Sequence, residues 1–133
     1  MSKGVSVLAD AIQHVSGEGE AFTRGPYSPA VIWRDMVFVS GLLAVNPDGK
    51  EVVGDVREEA MVVLRNLSGV LEAAGSGIEK VLAMTVYLSD INELHAFNEV
   101  YEEFFKPPYP SRSAVGVSLP GKFQVELSAL ACR

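Results

Sequence analysis

The chain has 133 residues, 48% of them hydrophobic, with a formal net charge of −6 and a mean hydropathy of +0.20. That length suits one domain with one core, and the apolar share is high for so short a soluble chain, so part of it is expected in a subunit interface. The 11 basic residues are scattered, which argues against nucleic acid as the main partner; no run approaches the ~20 apolar residues of a membrane span, and the single cysteine, Cys132, permits no internal disulfide and points to a reducing compartment.

Residues 1–24 read as an N-terminal extension or an early strand, ahead of one domain over 25–133. Val5, Leu8 and Ile12 fit one side of a helix, but "SGEGE" at Ser16–Glu20 interrupts that pattern. The segment lacks the apolar region and cleavage site of a signal peptide, so a cytoplasmic location is expected. Ala30–Trp33 and Met36–Gly41 are β-rich runs that predict a hairpin turning at Arg34-Asp35. "NPDGK" at Asn46–Lys50 is a dense turn signal. Asp55 then predicts the cap of a helix from Val56 to about Ala74, with Met61, Leu64, Leu67, Val70 and Leu71 along one face and Gly75 closing it.

Val81–Leu88 is apolar on both alternating sets, with Leu82, Met84, Val86 and Leu88 pointing one way. Such a strand is covered on both faces; in so short a chain a second subunit is the expected cover. Asp90 and Glu93 have the spacing of a capping box before a second helix, on which Leu94, Phe97, Tyr101 and Phe104 follow at helical intervals until Pro107 and Pro108 end it. Ser113–Val117 and Phe123–Cys132 read as the closing strands. The order β-β-α-β-α-β-β predicts an α+β domain: a mixed β-sheet with two helices packed on one face.

Few residues carry obvious chemistry. His14 and His95 show no metal-ligand spacing with cysteines or carboxylates, and Cys132 has no histidine near it in sequence to activate it. Arg112 stands between a proline-rich turn and a short apolar strand, as a surface charge or as an anion-binding group at a pocket mouth. Glu126 is a carboxylate in the middle of an otherwise apolar strand.

"GPYSPAV" (Gly25–Val31), "VFVSG" (Val37–Gly41), "NEVYEEFF" (Asn98–Phe105), "PSRSAV" (Pro110–Val115) and "LPGKFQVELSALA" (Leu119–Ala131), in this order, resemble the reactive-intermediate deaminase family, RidA/YjgF. The resemblance covers roughly residues 25–132. It implies a chorismate-mutase-like α+β fold, a homotrimer with pockets in the clefts between subunits, and no metal or organic cofactor. It also implies hydrolysis of short 2-imino acids and their 2-amino-enoic tautomers to 2-oxo acids and ammonia.

The same resemblance suggests roles residue by residue. Arg112 matches the arginine that holds the substrate carboxylate, a task suited to a planar guanidinium that makes two parallel charge-assisted bonds. Glu126 matches the glutamate of the last strand, which would position water and move protons. Tyr27 matches a tyrosine that closes the pocket and donates a hydrogen bond. Ser40 and Gly41 match an "SG" pair whose glycine N–H would bind the carboxylate, and Asn98 matches a helix asparagine at the substrate site or in local structure. Three positions depart from the common pattern. Leu42 and Pro29 replace glutamines expected near the pocket rim or interface, and Ala114 stands where some members carry cysteine. Rival readings are a non-catalytic trimer that binds or senses a small carboxylic acid, a deaminase for a larger aminomuconate-type substrate, and the ribonuclease or translation-inhibitor activity reported in the family.

Overall fold

The computed structural model describes residues 11–16 and 25–133. The elements are β1 (Gln13–His14), β2 (Ala30–Trp33), β3 (Met36–Leu43), α1 (Val56–Ala73), β4 (Val81–Leu88), α2 (Leu94–Phe104), β5 (Ser111–Gly116) and β6 (Val125–Cys132). They build one mixed sheet of order β1-β2-β3-β6-β4-β5. All neighbours pair antiparallel except β4 and β5, which are parallel and joined through α2. Of the proposed N-terminal helix positions, Val5 and Leu8 lie outside the described residues, and Ile12 is exposed ahead of the short β1.

Helix α1 forms where the sequence predicts it. Asp55 Oδ1 accepts from the Glu58 N–H at 2.9 Å while Glu58 Oε1 accepts from the Asp55 N–H at 3.0 Å, a reciprocal capping box. At the other end Gly75 takes φ +81°. The Ser76 N–H reaches back to the Leu71 carbonyl and the Gly75 N–H to that of Glu72, the Schellman arrangement that satisfies the last turn. Before α2 the expected reciprocal box does not form. Asp90 instead accepts from the Asn92 N–H at 3.0 Å and caps a short 3₁₀ turn over Ile91–Glu93.

The two helices cover one face of the sheet. Val37 and Val39 of β3, Met84, Val86 and Leu88 of β4 and Val125, Leu127, Ala129 and Ala131 of β6 are buried with Leu64, Leu67 and Leu71 of α1 and Phe97 of α2. Leu82 does not share that face as the alternation suggested. A register irregularity between Val81 and Ala83 brings Val81 inward and leaves Leu82 45% exposed. The opposite face carries no cover among the described residues: Phe38 is 47% exposed, and Thr85, Tyr87 and Leu130 are only partly buried.

Candidate functional site

Two small cavities hold the candidate residues, one on each side of the sheet. Arg112 lies inside β5, which begins at Ser111 rather than at Ser113, and its register partner on β4 is Met84. Partners in adjacent strands share a face, so Arg112 extends to the helix-covered side at the sheet edge. There its Nη1 donates to Asn98 Oδ1 of α2 at 2.8 Å, and its guanidinium lies over the Tyr101 ring, 4.8 Å from the centroid. Asn98 and Tyr101 occupy the same side of α2 because three residues separate them. Tyr101 is fixed in turn by Phe105, stacked at 4.6 Å, and by Phe97 at 5.8 Å. The cavity beside Arg112 measures about 300 Å³ and is bounded also by Glu102, Tyr109 and Pro110. Burial pushes the Tyr101 phenol up, against the opposing pull of Arg112.

Glu126 faces the other way. Its cross-strand partners are Tyr87 on β4 and Leu43 on β3. With Tyr27, Ser40, Gly41 and Leu43 it lines a cavity of about 330 Å³. Burial alone pushes its carboxyl above the usual carboxylate range. Gly41 leaves room for the carboxyl: a Cβ there would overlap Glu126 Oε2 and displace it. Ser40 Oγ donates to the Ser28 carbonyl at 2.6 Å, and the Ser40 N–H donates to the Pro29 carbonyl at 3.0 Å. Ser40 thus ties the loop carrying Tyr27 to β3.

The expected site residues therefore fall into two groups. Arg112 and Asn98 form one, with Asn98 orienting the guanidinium. Glu126, Tyr27, Gly41 and Ser40 form the other. Leu42 and Pro29, expected near the pocket rim or interface, line neither cavity: Leu42 pairs with the buried Leu127 and packs on the core, and Pro29 is buried. Tyr101 and Leu43 were not singled out by the sequence. Tyr101 reads there as one more apolar position of α2, although its offset from Asn98 places it beside the arginine's partner. Leu43 needed knowledge of a bulge in β3, for which the glycine in the strand was the signal. Neither histidine joins these groups. His14 Nδ1 lies 3.2 Å from Ser28 Oγ, and His95 Nε2 lies 3.3 Å from Glu99. Among the described residues no cluster of side chains could hold a metal ion, and no helix is long and apolar enough to cross a membrane.

Residues 18–133 match the family model described as Endoribonuclease L-PSP. The chain belongs to this family, the RidA/YjgF family its motifs resemble. A human 2-iminobutanoate/2-iminopropanoate deaminase is 39% identical over 109 residues, covering 80% of each chain. A RutC family protein of Pyrococcus abyssi is 40% identical over 109 residues, 80% of this chain and 86% of its own. The crystal structure of Escherichia coli TdcF with bound serine superposes with a TM-score of 0.80 at 36% identity, covering 92% of this chain and 97% of the other. The family thus includes deaminases of reactive intermediates that act on small substrates.

Proposed function

We propose that the protein is a homotrimeric deaminase of short 2-imino acids, with each active site shared between two copies. The observation that carries this reading is the position of Arg112 and Glu126 on opposite faces of the sheet. No small acid can touch both within one chain. The uncovered face, with Phe38, Thr85, Tyr87 and Leu130 on it, is the surface that a second copy would cover. Packing the Glu126 face of one copy against the β5 edge of the next brings the two cavities together.

In that cleft the substrate carboxylate pairs with the guanidinium of Arg112, which Asn98 and Tyr101 hold in place, and accepts from the Gly41 N–H. Glu126 takes a proton from water as its oxygen bonds to the imine carbon. It returns that proton to nitrogen, giving a carbon that bears both hydroxyl and amino groups. It then takes the hydroxyl proton and passes it to nitrogen as the C–N bond breaks and the C=O bond forms, so ammonia leaves with a 2-oxo acid as product. A carboxyl with a raised proton affinity suits both directions of transfer better than an exposed glutamate does. The 2-amino-enoic tautomers enter the same path once protonated at carbon. Tyr27 stands at the mouth and donates a hydrogen bond to substrate or water.

The test uses imine generated in place by a threonine dehydratase, with semicarbazide trapping what remains. Arg112→Ala and Glu126→Gln are each expected to abolish the acceleration. Mixing the two variants after dissociation and reassembly is expected to restore about one quarter of wild-type activity, since one cleft in four then pairs an intact arginine with an intact glutamate. No restoration, with mixed trimers demonstrated, would place both residues in one chain's site. No activity of the wild type on 2-iminobutanoate or 2-aminoacrylate would sink the short-chain deaminase reading and favour a carboxylate-binding trimer.

A further inference from the structure

The register of β3 against β6 changes part-way along the strand. Val39 pairs with Ala129, but Leu42 pairs with Leu127 and Leu43 with Glu126. Ser40 and Gly41 together oppose Ser128, so β3 carries one extra residue there, a β-bulge. Such an insertion exchanges the faces of everything after it. Without it Leu43 would follow Val37 and Val39 into the helix-packed core and Leu42 would face the open side. With it Leu42 pairs with the buried Leu127 and Leu43 pairs with Glu126 and joins the wall of the Glu126 cavity, although both leucines also pack in part against the core.

We propose that Leu43 is the residue that sets the selectivity and reactivity of this site, as the apolar wall that receives a short alkyl side chain of the substrate and keeps water from one side of Glu126. The inference rests on the deaminase reading for selectivity and on the cavity alone for the effect on Glu126. The cavity's other residues are Tyr27, Ser40 and Gly41 beside Glu126 itself, so Leu43 is its aliphatic side chain. The groups facing Glu126 are Tyr27 from the loop before β2, Tyr87 from β4 and Ser128 along its own strand; Glu59 of α1 lies on the far side, where it binds the Gln124 side chain and the backbone of residues 124 and 125. None of the described groups that face it is cationic, so removing the apolar wall changes its hydration without altering an ion pair. In the assembled site Arg112 of the partner subunit is common to every variant compared.

Leu43→Asn is the direct test, read in two ways. The first follows the Glu126 carboxyl carbon by NMR against pH, assigned through Glu126→Gln. The titration midpoint is expected to fall towards that of an exposed glutamate in Leu43→Asn and to stay in place in Leu43→Met. The core-facing Leu42→Ala is expected to lower stability and leave the midpoint where it was. The second compares kcat/KM for 2-iminobutanoate and 2-iminopropanoate, whose ratio is expected to shrink by roughly 10-fold in Leu43→Asn. Should Leu43→Asn fail to fold, Leu43→Ala is expected to move both readings in the same direction. An unmoved midpoint, or one that moves equally in Leu42→Ala, overturns the proposal. So does an unchanged substrate ratio. Absence of turnover in the wild type counts against the deaminase reading alone, because the titration needs no substrate.

Discussion

Replacing Glu59 tests how α1 supports the strand that carries Glu126. This carboxylate is 2% exposed. It accepts from the backbone N–H of Gln124 at 2.9 Å, from that of Val125 at 3.2 Å and from Gln124 Nε2 at 2.9 Å. The bonds fix the first turn of chain before Glu126. Glu59→Ala leaves two backbone donors without partners in the interior, at about 1–3 kcal/mol each, so a loss near 4 kcal/mol is expected. At roughly 3 °C per kcal/mol for a domain of this size, the melting temperature should fall by about 12 °C. Glu59→Gln keeps one acceptor oxygen but sets its amide against Gln124 Nε2, donor facing donor. The loss of that single bond should cost about 1 kcal/mol. Thermal and urea unfolding at one fixed protein concentration measure both variants, and hydrogen exchange at residues 124 and 125 shows whether the damage is local. A cost below about 1 kcal/mol for Glu59→Ala, or equal costs for the two variants, would refute the assignment of these bonds as the anchor of β6.

Gly41→Ala is expected to keep the fold and lose roughly 100-fold in kcat, because the new methyl displaces the Glu126 carboxyl; circular dichroism and the coupled deaminase assay check the two halves of that statement. Tyr101→Leu removes the ring beneath Arg112 and should raise KM by about 5-fold with little change in kcat. Tyr101→Phe keeps the ring and removes a buried hydroxyl that has no hydrogen-bond partner among the described residues, so it should match or exceed wild-type stability. Glu126→Gln should raise the melting temperature at neutral pH. The folded-state carboxyl has a raised proton affinity, so ionisation opposes folding above the folded pKa. That penalty fades as pH falls, and the advantage of the variant should vanish below the ordinary glutamate pKa. A variant no more stable than wild type at pH 8 would contradict the burial argument.

The helices were legible because their signals are local. Asp55 and Glu58 stand three residues apart, Gly75 closes the last turn, and the apolar stripe of α1 needs only a period of 3.6. The hairpin at Arg34-Asp35 is equally local. What the alternation of single residues concealed are the two irregularities that change which side chains face which way. Leu82 is read correctly as a strand residue and wrongly as to face, because it lies at an extra residue whose presence is decided by the partner strand; Leu42, left outside the expected Met36–Gly41 strand, lies within β3 just past such a residue. Asp90 illustrates the same limit at a helix start, where a 3₁₀ turn intervenes and the reciprocal bond to Glu93 is not made. The motif residues were all identified in sequence; their separation into two cavities was not, since nothing in a linear pattern fixes the face of Arg112 until β5 is registered on Met84.

That separation gives the fold its economy of parts. The helix-covered side of the sheet offers what an anion anchor needs: a rigid α2 whose Asn98 and Tyr101 orient a guanidinium at the sheet edge. The uncovered side offers what a proton-handling carboxyl needs, a surface that stays apolar until something packs on it and then withholds water. One layer of backbone separates the two environments, so neither cavity alone holds both the proposed anchor and the proposed base. Under the proposed assembly a second copy joins them, and the β3 bulge at Ser40 and Gly41 suits the uncovered side to that role by leaving space for the carboxyl at Gly41 and setting Leu43 beside it. On this reading a change that weakens association without touching either cavity, such as Phe38→Asp on the half-exposed face, should abolish activity together with the trimer. Sedimentation and turnover measured on the same sample over a protein dilution series would then fall in parallel, and full activity in a monomeric Phe38→Asp would refute the shared site outright.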